Sequence, residues 1–169
     1  RLLTEGFDMA HGTIRPAQDI RSALALAAII MQANQNMQHG GQSYPMFDYD
    51  LAPFVEKTYQ RQLKKIRELI PKWSNRQKRA YALSETYEMT YQACEAFIHN
   101  TNSMHSRGGG QVPFISINYG TDTSEFGRLL TRALLNATKA GLGKGETPIF
   151  RHPSLATLIV GSGICCSFF

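Results

Sequence analysis

The chain of 169 residues is short of several things, and each shortage excludes something. Cysteine occurs three times, at Cys94 and as the adjacent pair Cys165 and Cys166, which makes neither a disulfide framework nor a metal-ligand spacing. That usage suits a reducing, cytoplasmic setting. No apolar run reaches the length of a membrane-crossing helix, so no membrane partner is expected. There is no signal-peptide pattern, and the chain opens on Arg1 with no initiator Met, so the expectation is a piece of something longer. Charged residues are 18% against 43% hydrophobic, a balance that excludes disorder and leaves enough apolar material for one domain with a core.

Net positive charge is concentrated in one place. Between Lys57 and Arg79 nine Lys or Arg face a single acid, Glu68, so this segment carries +8 and the rest of the chain −3 of the total +5. Such a run is most often a solvated helix face; it is also the chemistry that meets nucleotide phosphates or nucleic acid. Aromatics for base stacking are sparse among these cations (Tyr59, Trp73), so a nucleic-acid-binding hairpin ranks last and no direct nucleic-acid partner is expected.

Periodicity predicts four helices. Pro16 suits a first helical turn, and Ile20, Leu24, Ala27 or Ala28 and Met31 follow at helical spacing, predicting a helix over about 16–36. Its amide-rich end, including Gln35, is unusual for packing alone, because a buried amide without partners is costly. PMFDYDLAP, from Pro45 to Pro53, reads as a proline-bounded connection. A helix over 54–70 carries Val55, Tyr59, Leu63, Ile66 and Ile70 on one face, and Pro71 stops it. A second helix, 75–100, places Ala80, Leu83, Tyr87, Tyr91, Cys94 and Ile98 on its stripe, so Cys94 reads as a small buried hydrophobe. The fourth, 123–140, points Phe126, Leu129, Leu130, Ala133, Leu134 and Ala137 inward and ends at Gly141. The glycines around Lys144 fail the P-loop spacing and follow a helix, so they read as a plain loop.

Between these helices lies HNTNSMHSRGGGQVPFISINYGTDTSEFGR, from His99 to Arg128. It reads as helix end, glycine loop, a strand over 112–119, a second loop and a helix start signalled by Asp122 and Glu125. Strict alternation puts Ser116 and Asn118 on one face of the strand, with Ile115, Ile117 and Tyr119 on the other. A strand that opens into a turn and a helix start is a usual place for a ligand in α/β proteins, although the two polar residues could equally satisfy backbone groups in a packed sheet.

SRGGGQVPFISINYGTDTSEFGR with ALLNATKAGLGKGETPIF, and upstream HGTIRPAQDIRSALALAAIIMQANQNMQHGGQSYPMFDYDLAPFV, closely resemble the anaerobic (class III) ribonucleoside-triphosphate reductases. The resemblance covers about residues 1–150; the tail 151–169 does not follow it and reads as an altered end. It implies an α/β fold, a helix-rich partial piece of the ten-stranded barrel of glycyl-radical enzymes, and a parent that converts ribonucleoside triphosphates to deoxyribonucleoside triphosphates. It places His39, Gly40, Gly41, Gln42 and Ser43 in a ligand-proximal loop, with Ser116, Asn118 and Tyr119 as further substrate contacts. Gln35, Lys57, Arg61 and Lys64 are its candidates for binding dNTP or ATP effectors.

For the parent the resemblance implies a homodimer and a glycyl radical made by an iron–sulfur, radical S-adenosylmethionine activating enzyme. It also implies formate as reductant and a structural zinc site. Its active-site cysteines fall just before Arg1 and beyond Phe150, so no catalytic residue and no metal ligand is assigned here, and the chain alone is expected to be inactive. The alternative is a non-catalytic nucleotide-binding or dimerisation module built on Gln35, His39 to Ser43 and the basic helix.

Overall fold

A computed structural model describes residues 1–9, 12–37, 40–105, 114–148 and 153–155. The element order is α1 (Leu2–Glu5), β1 (Phe7–Met9), β2 (Gly12–Ile14), α2 (Ile20–Met37), β3 (Gln42–Tyr44), α3 (Phe47–Leu69), α4 (Asn75–Ser103), β4 (Ile115–Tyr119), α5 (Glu125–Ala140) and β5 (Pro153–Leu155). β1 and β2 form a small antiparallel pair. β3, β4 and β5 make a parallel sheet with β4 in the centre, helices intervening along the chain between successive strands. Parallel neighbours need such crossovers, so the chain is α/β and helix-rich.

The helices start where side chains can cap them. α2 begins at Ile20, four residues after Pro16, because the Asp19 carboxylate accepts from the Ser22 N–H at 2.9 Å and the Ser22 hydroxyl accepts from Gln18 and Asp19 N–H. α4 opens with a complete capping box between Ser74 and Gln77. α5 is capped by Ser124, whose hydroxyl accepts from Gly127 N–H at 3.1 Å; Asp122 stands one step back, accepting from the Ser124 N–H and hydroxyl. A Cβ at position 127 would collide with the Asp122 carboxylate, so glycine is required there.

α3 starts at Phe47, inside the stretch expected to be a connection, and carries Pro53 within it. A proline inside a helix costs about 3 kcal/mol or more. Phe47, Leu51, Phe54 and Val55 are all but completely buried, and each such burial is worth roughly 1.5–3 kcal/mol, so the apolar stripe wins. Pro53 sits on the exposed side.

α4 buries Cys94 and Ile98 as expected, but along its first two-thirds the stripe is shifted. Ala82, Thr86, Thr90, Ala93, Phe97 and Thr101 face inward, while Ala80 is exposed and Leu83, Tyr87 and Tyr91 are half-buried. Each buried threonine returns its hydroxyl hydrogen to the carbonyl four residues back, Thr86 to Ala82 at 2.6 Å and Thr90 to Thr86 at 2.7 Å. With the hydroxyl satisfied locally, what reaches the core is a methyl group. The main core joins α2, α3, the second half of α4, α5 and β4; a smaller cluster of Leu63, Ile66 and Ala82, with Tyr59 and Ile70, zips the far part of the α3–α4 hairpin.

Candidate functional site: the open face of the parallel sheet

The two faces of the sheet are chemically different. Ile115, Ile117 and Tyr119 are buried among the helices, at 3%, 6% and 3% exposure. Ser116 and Asn118, alternating with them, are only half-buried and stand on the opposite face. Register extends that polar row onto β3, since Ser43 pairs with Ser116. Parallel sheets are usually covered on both faces by apolar side chains, so the polar alternation marks this face as the candidate site.

Ser43, Ser116 and Asn118 therefore come together, and Gly40 and Gly41 lead into the row. Gly40 has φ 87°, which favours glycine, and a Cβ on Gly41 would press the Phe114 carbonyl at 3.3 Å. Tyr119 is on the wrong face to join them: it packs with the helices, where burial raises its hydroxyl pKa above the ordinary value. Gln42 also turns to the helices. Its amide donates to the Met31 carbonyl at 2.7 Å and to Gln35 Oε1 at 3.0 Å, and its oxygen accepts from Asn34 at 2.8 Å. The amides at the end of α2 thus tie β3 to that helix. His39 lies outside the described residues.

The effector candidates separate. Gln35 is buried at the C-terminal end of α2, whereas Arg61 bonds Asp19 at 2.9 Å and the Gln18 carbonyl at 3.3 Å, at the other end of that helix. Fifteen helical residues span roughly 22 Å, too far for one nucleotide triphosphate head group to contact both ends closely. Lys57 and Lys64 are exposed on α3, with Lys57 5.1 Å from the Phe54 ring centre. Burial works against ionisation of Asp19, but hydrogen bonds from Ser22 and the Arg61 guanidinium prevail and hold its carboxyl below the usual value.

One residue that organises the site is silent in the sequence pattern. Asp48, in the first turn of α3, is fully buried, and its carboxylate accepts from Gly120 N–H at 2.8 Å, Asp122 N–H at 2.9 Å and the Thr121 hydroxyl at 2.9 Å. It fixes the turn at the carboxyl end of β4, and Asp122 passes that constraint to the Ser124 cap of α5. The only cue was an acid in a helix's first turn; its partners lie 72–74 residues away.

Ser43 also borders a cavity of about 460 Å³ with Tyr44, Tyr49, Asp50 and Phe54. Burial, with the Asp50 charge adding, lifts the Tyr44 hydroxyl far above the ordinary phenol range, so it remains a donor at any physiological pH. Cys94 is wholly buried, and burial pushes its thiol up to about 12. Such a thiol is neither nucleophile nor ligand, and it does not fit the role of a sulfur held against a sugar. Among the described residues no group of three His, Cys, Asp or Glu is placed to hold a metal ion, and no helix is long and apolar enough to cross a membrane.

A central parallel strand with a helix-covered apolar face, a polar opposite face and a carboxylate-pinned turn at its carboxyl end defines a helix-rich α/β unit. Comparison with known proteins supplies the family. The family model for anaerobic ribonucleoside-triphosphate reductase matches residues 1–159, and the chain belongs to that family. The match includes β5, which lies past residue 150. The anaerobic ribonucleoside-triphosphate reductases of Escherichia coli (strain K12) and Salmonella typhimurium are each 33% identical over 150 residues, covering 88% of this chain and 20% of their own length. That of Enterobacteria phage T4 is 33% identical over the same length, 24% of its own. The chain thus spans a fifth to a quarter of the length of these curated relatives.

Proposed function

We propose that this chain is a segment of an anaerobic ribonucleoside-triphosphate reductase and supplies part of the wall of its substrate site. The whole enzyme converts ribonucleoside triphosphates to deoxyribonucleoside triphosphates in the cytoplasm, as a homodimer regulated by dNTP and ATP. The sheet is one sector of a ten-stranded barrel, and its open face looks inward. The observation that carries this reading is the split of β4 into a helix-facing row, Ile115, Ile117 and Tyr119, and a polar row, Ser116 and Asn118, continued by Ser43.

In this role Ser43, Ser116 and Asn118 offer hydroxyl and amide groups to the sugar or base, and Gly40 and Gly41 let the backbone come close. His39, next to Gly40 in the sequence, is proposed as a contact alongside them. Gln42 and Tyr119 support the row from behind. Lys57, Arg61 and Lys64, with Gln35 at the other end of α2, contribute to effector response across more than one surface. A glycyl radical, generated by an activating enzyme with S-adenosylmethionine, would store the radical for a cysteine thiyl that abstracts the ribose hydrogen, and formate would supply the electrons. The described residues do not fit the thiyl or zinc sites, so neither step is assigned to them.

The test is Asn118→Ala in the complete reductase. Substrate use should fall about tenfold, the worth of one well-placed polar contact, with the melting temperature unchanged. Unchanged kinetics with Asn118→Ala and Ser116→Ala together would refute the open-face reading.

A further inference from the structure

The sequence places Ala80, Leu83 and Tyr87 on the core stripe of α4, but the core takes Ala82, Thr86 and Thr90 instead. The displaced apolar residues face Leu129 across a groove between α4 and α5 that encloses about 570 Å³. That volume falls within the range of small-molecule sites. Arg128 and Arg132 line the same groove, one turn apart on the exposed side of α5. Like charges at that spacing repel each other.

Among the described residues no ion pair offsets that repulsion. The ion pairs among the described residues are Arg1 with Glu5 and Arg61 with Asp19, and Glu125, which lines the groove too, bonds neither arginine. Arg132 stands 5.9 Å from the centre of the Tyr87 ring, and the Tyr87 hydroxyl accepts from Asn136 at 2.7 Å. The ring is thus tied to α5 by its hydroxyl, and the guanidinium stands beside its face.

We propose that this groove is a binding site for an aromatic phosphate monoester, separate from the open face of the sheet. Two guanidinium forks suit the oxygens of one phosphate. A flat apolar body fits against Leu83 and Leu129, which a bare anion would leave uncovered. A neutral aromatic would cover the leucines but leave both arginines unpaired. Glu125 repels further negative charge, so a monoester is preferred to a triphosphate.

The experiment titrates phenyl phosphate, inorganic phosphate and phenol into the 169-residue chain, following the Leu83 and Leu129 methyl resonances. Phenyl phosphate should saturate, with each half-ligand at least about tenfold weaker. Arg128→Gln with Arg132→Gln should weaken phenyl phosphate about tenfold or more without moving the melting temperature, and Glu125→Gln should tighten it. Should the double variant melt early, Arg128→Gln alone decides, since that side chain is exposed, and a change below threefold overturns the site. Equal affinity for inorganic phosphate, meaning an adventitious ion only, overturns it too, as does failure to saturate.

Discussion

The two faces of β4 sit on the same five residues yet are stabilised by different things. On the helix side Ile115, Ile117 and Tyr119 are buried in the core that β4 shares with the helices, and their worth is apolar area removed from water. On the other side Ser116 and Asn118 are half-buried, and among the described residues their one side-chain hydrogen bond is long, from the Ser116 hydroxyl to the Gln42 carbonyl at 3.5 Å. On the proposed reading, the difference divides fold and function between alternate residues of one strand. Changing the first set should damage stability, and changing the second should damage recognition.

The largest effect that would sharpen this contrast is expected in the helix-side core. Leu134→Ala, at 2% exposure, should cost about 2–5 kcal/mol, and Ile117→Ala a similar amount, by chemical denaturation. Ser116→Ala should stay within about 0.5 kcal/mol. A comparable loss from Ser116→Ala would break the division.

Asp48→Asn comes next. The amide keeps the volume but brings an NH₂ group against three donors, so about 1–3 kcal/mol should be lost, with faster hydrogen exchange at Gly120 and Asp122. If exchange there stays slow, the carboxylate does not hold the turn.

Much of this organisation was legible in advance, for physical reasons that can be named. The alternation in β4, the hairpin of α3 and α4, and the buried Cys94 all follow from period-two or helical spacing of apolar residues. β3 was not anticipated, because three residues of Gln-Ser-Tyr carry no pattern and form a strand only by pairing with β4. The early start of α3 was hidden by prolines, whose local preference lost to Phe47 and Leu51. The threonine stripe of α4 was hidden because Thr86 and Thr90 count as polar until their hydroxyls are seen bonded to their own helix. Asp48 was hidden because a long-range clamp leaves no periodic trace.

Smaller effects sharpen the picture at its edges. The Cys94 thiol, pushed up to about 12, should not react with a thiol reagent at pH 8 unless denaturant is added. Rapid labelling of the native chain at Cys94 would contradict its burial. The smallest effect concerns Asp19, whose carboxyl is held below its ordinary value by Ser22 and Arg61 against the pull of burial. The stability it contributes is fully present above the ordinary aspartate range and is lost as pH falls through its lowered value. Asp19→Asn should therefore flatten the acid limb of a stability–pH curve while changing neutral stability by about 1 kcal/mol at most from the ion pair.

The central claim is that the polar row of the sheet, and not its helix side, meets the nucleotide. The most direct measurement labels the Asn118 side-chain amide together with the Ile115 and Ile117 methyl groups, in the complete reductase. A ribonucleoside triphosphate is then titrated in. The account predicts a saturable shift of the Asn118 amide, abolished by Asn118→Ala, with the two isoleucine methyl groups little changed. Saturation with the isoleucines shifting and Asn118 still would contradict it.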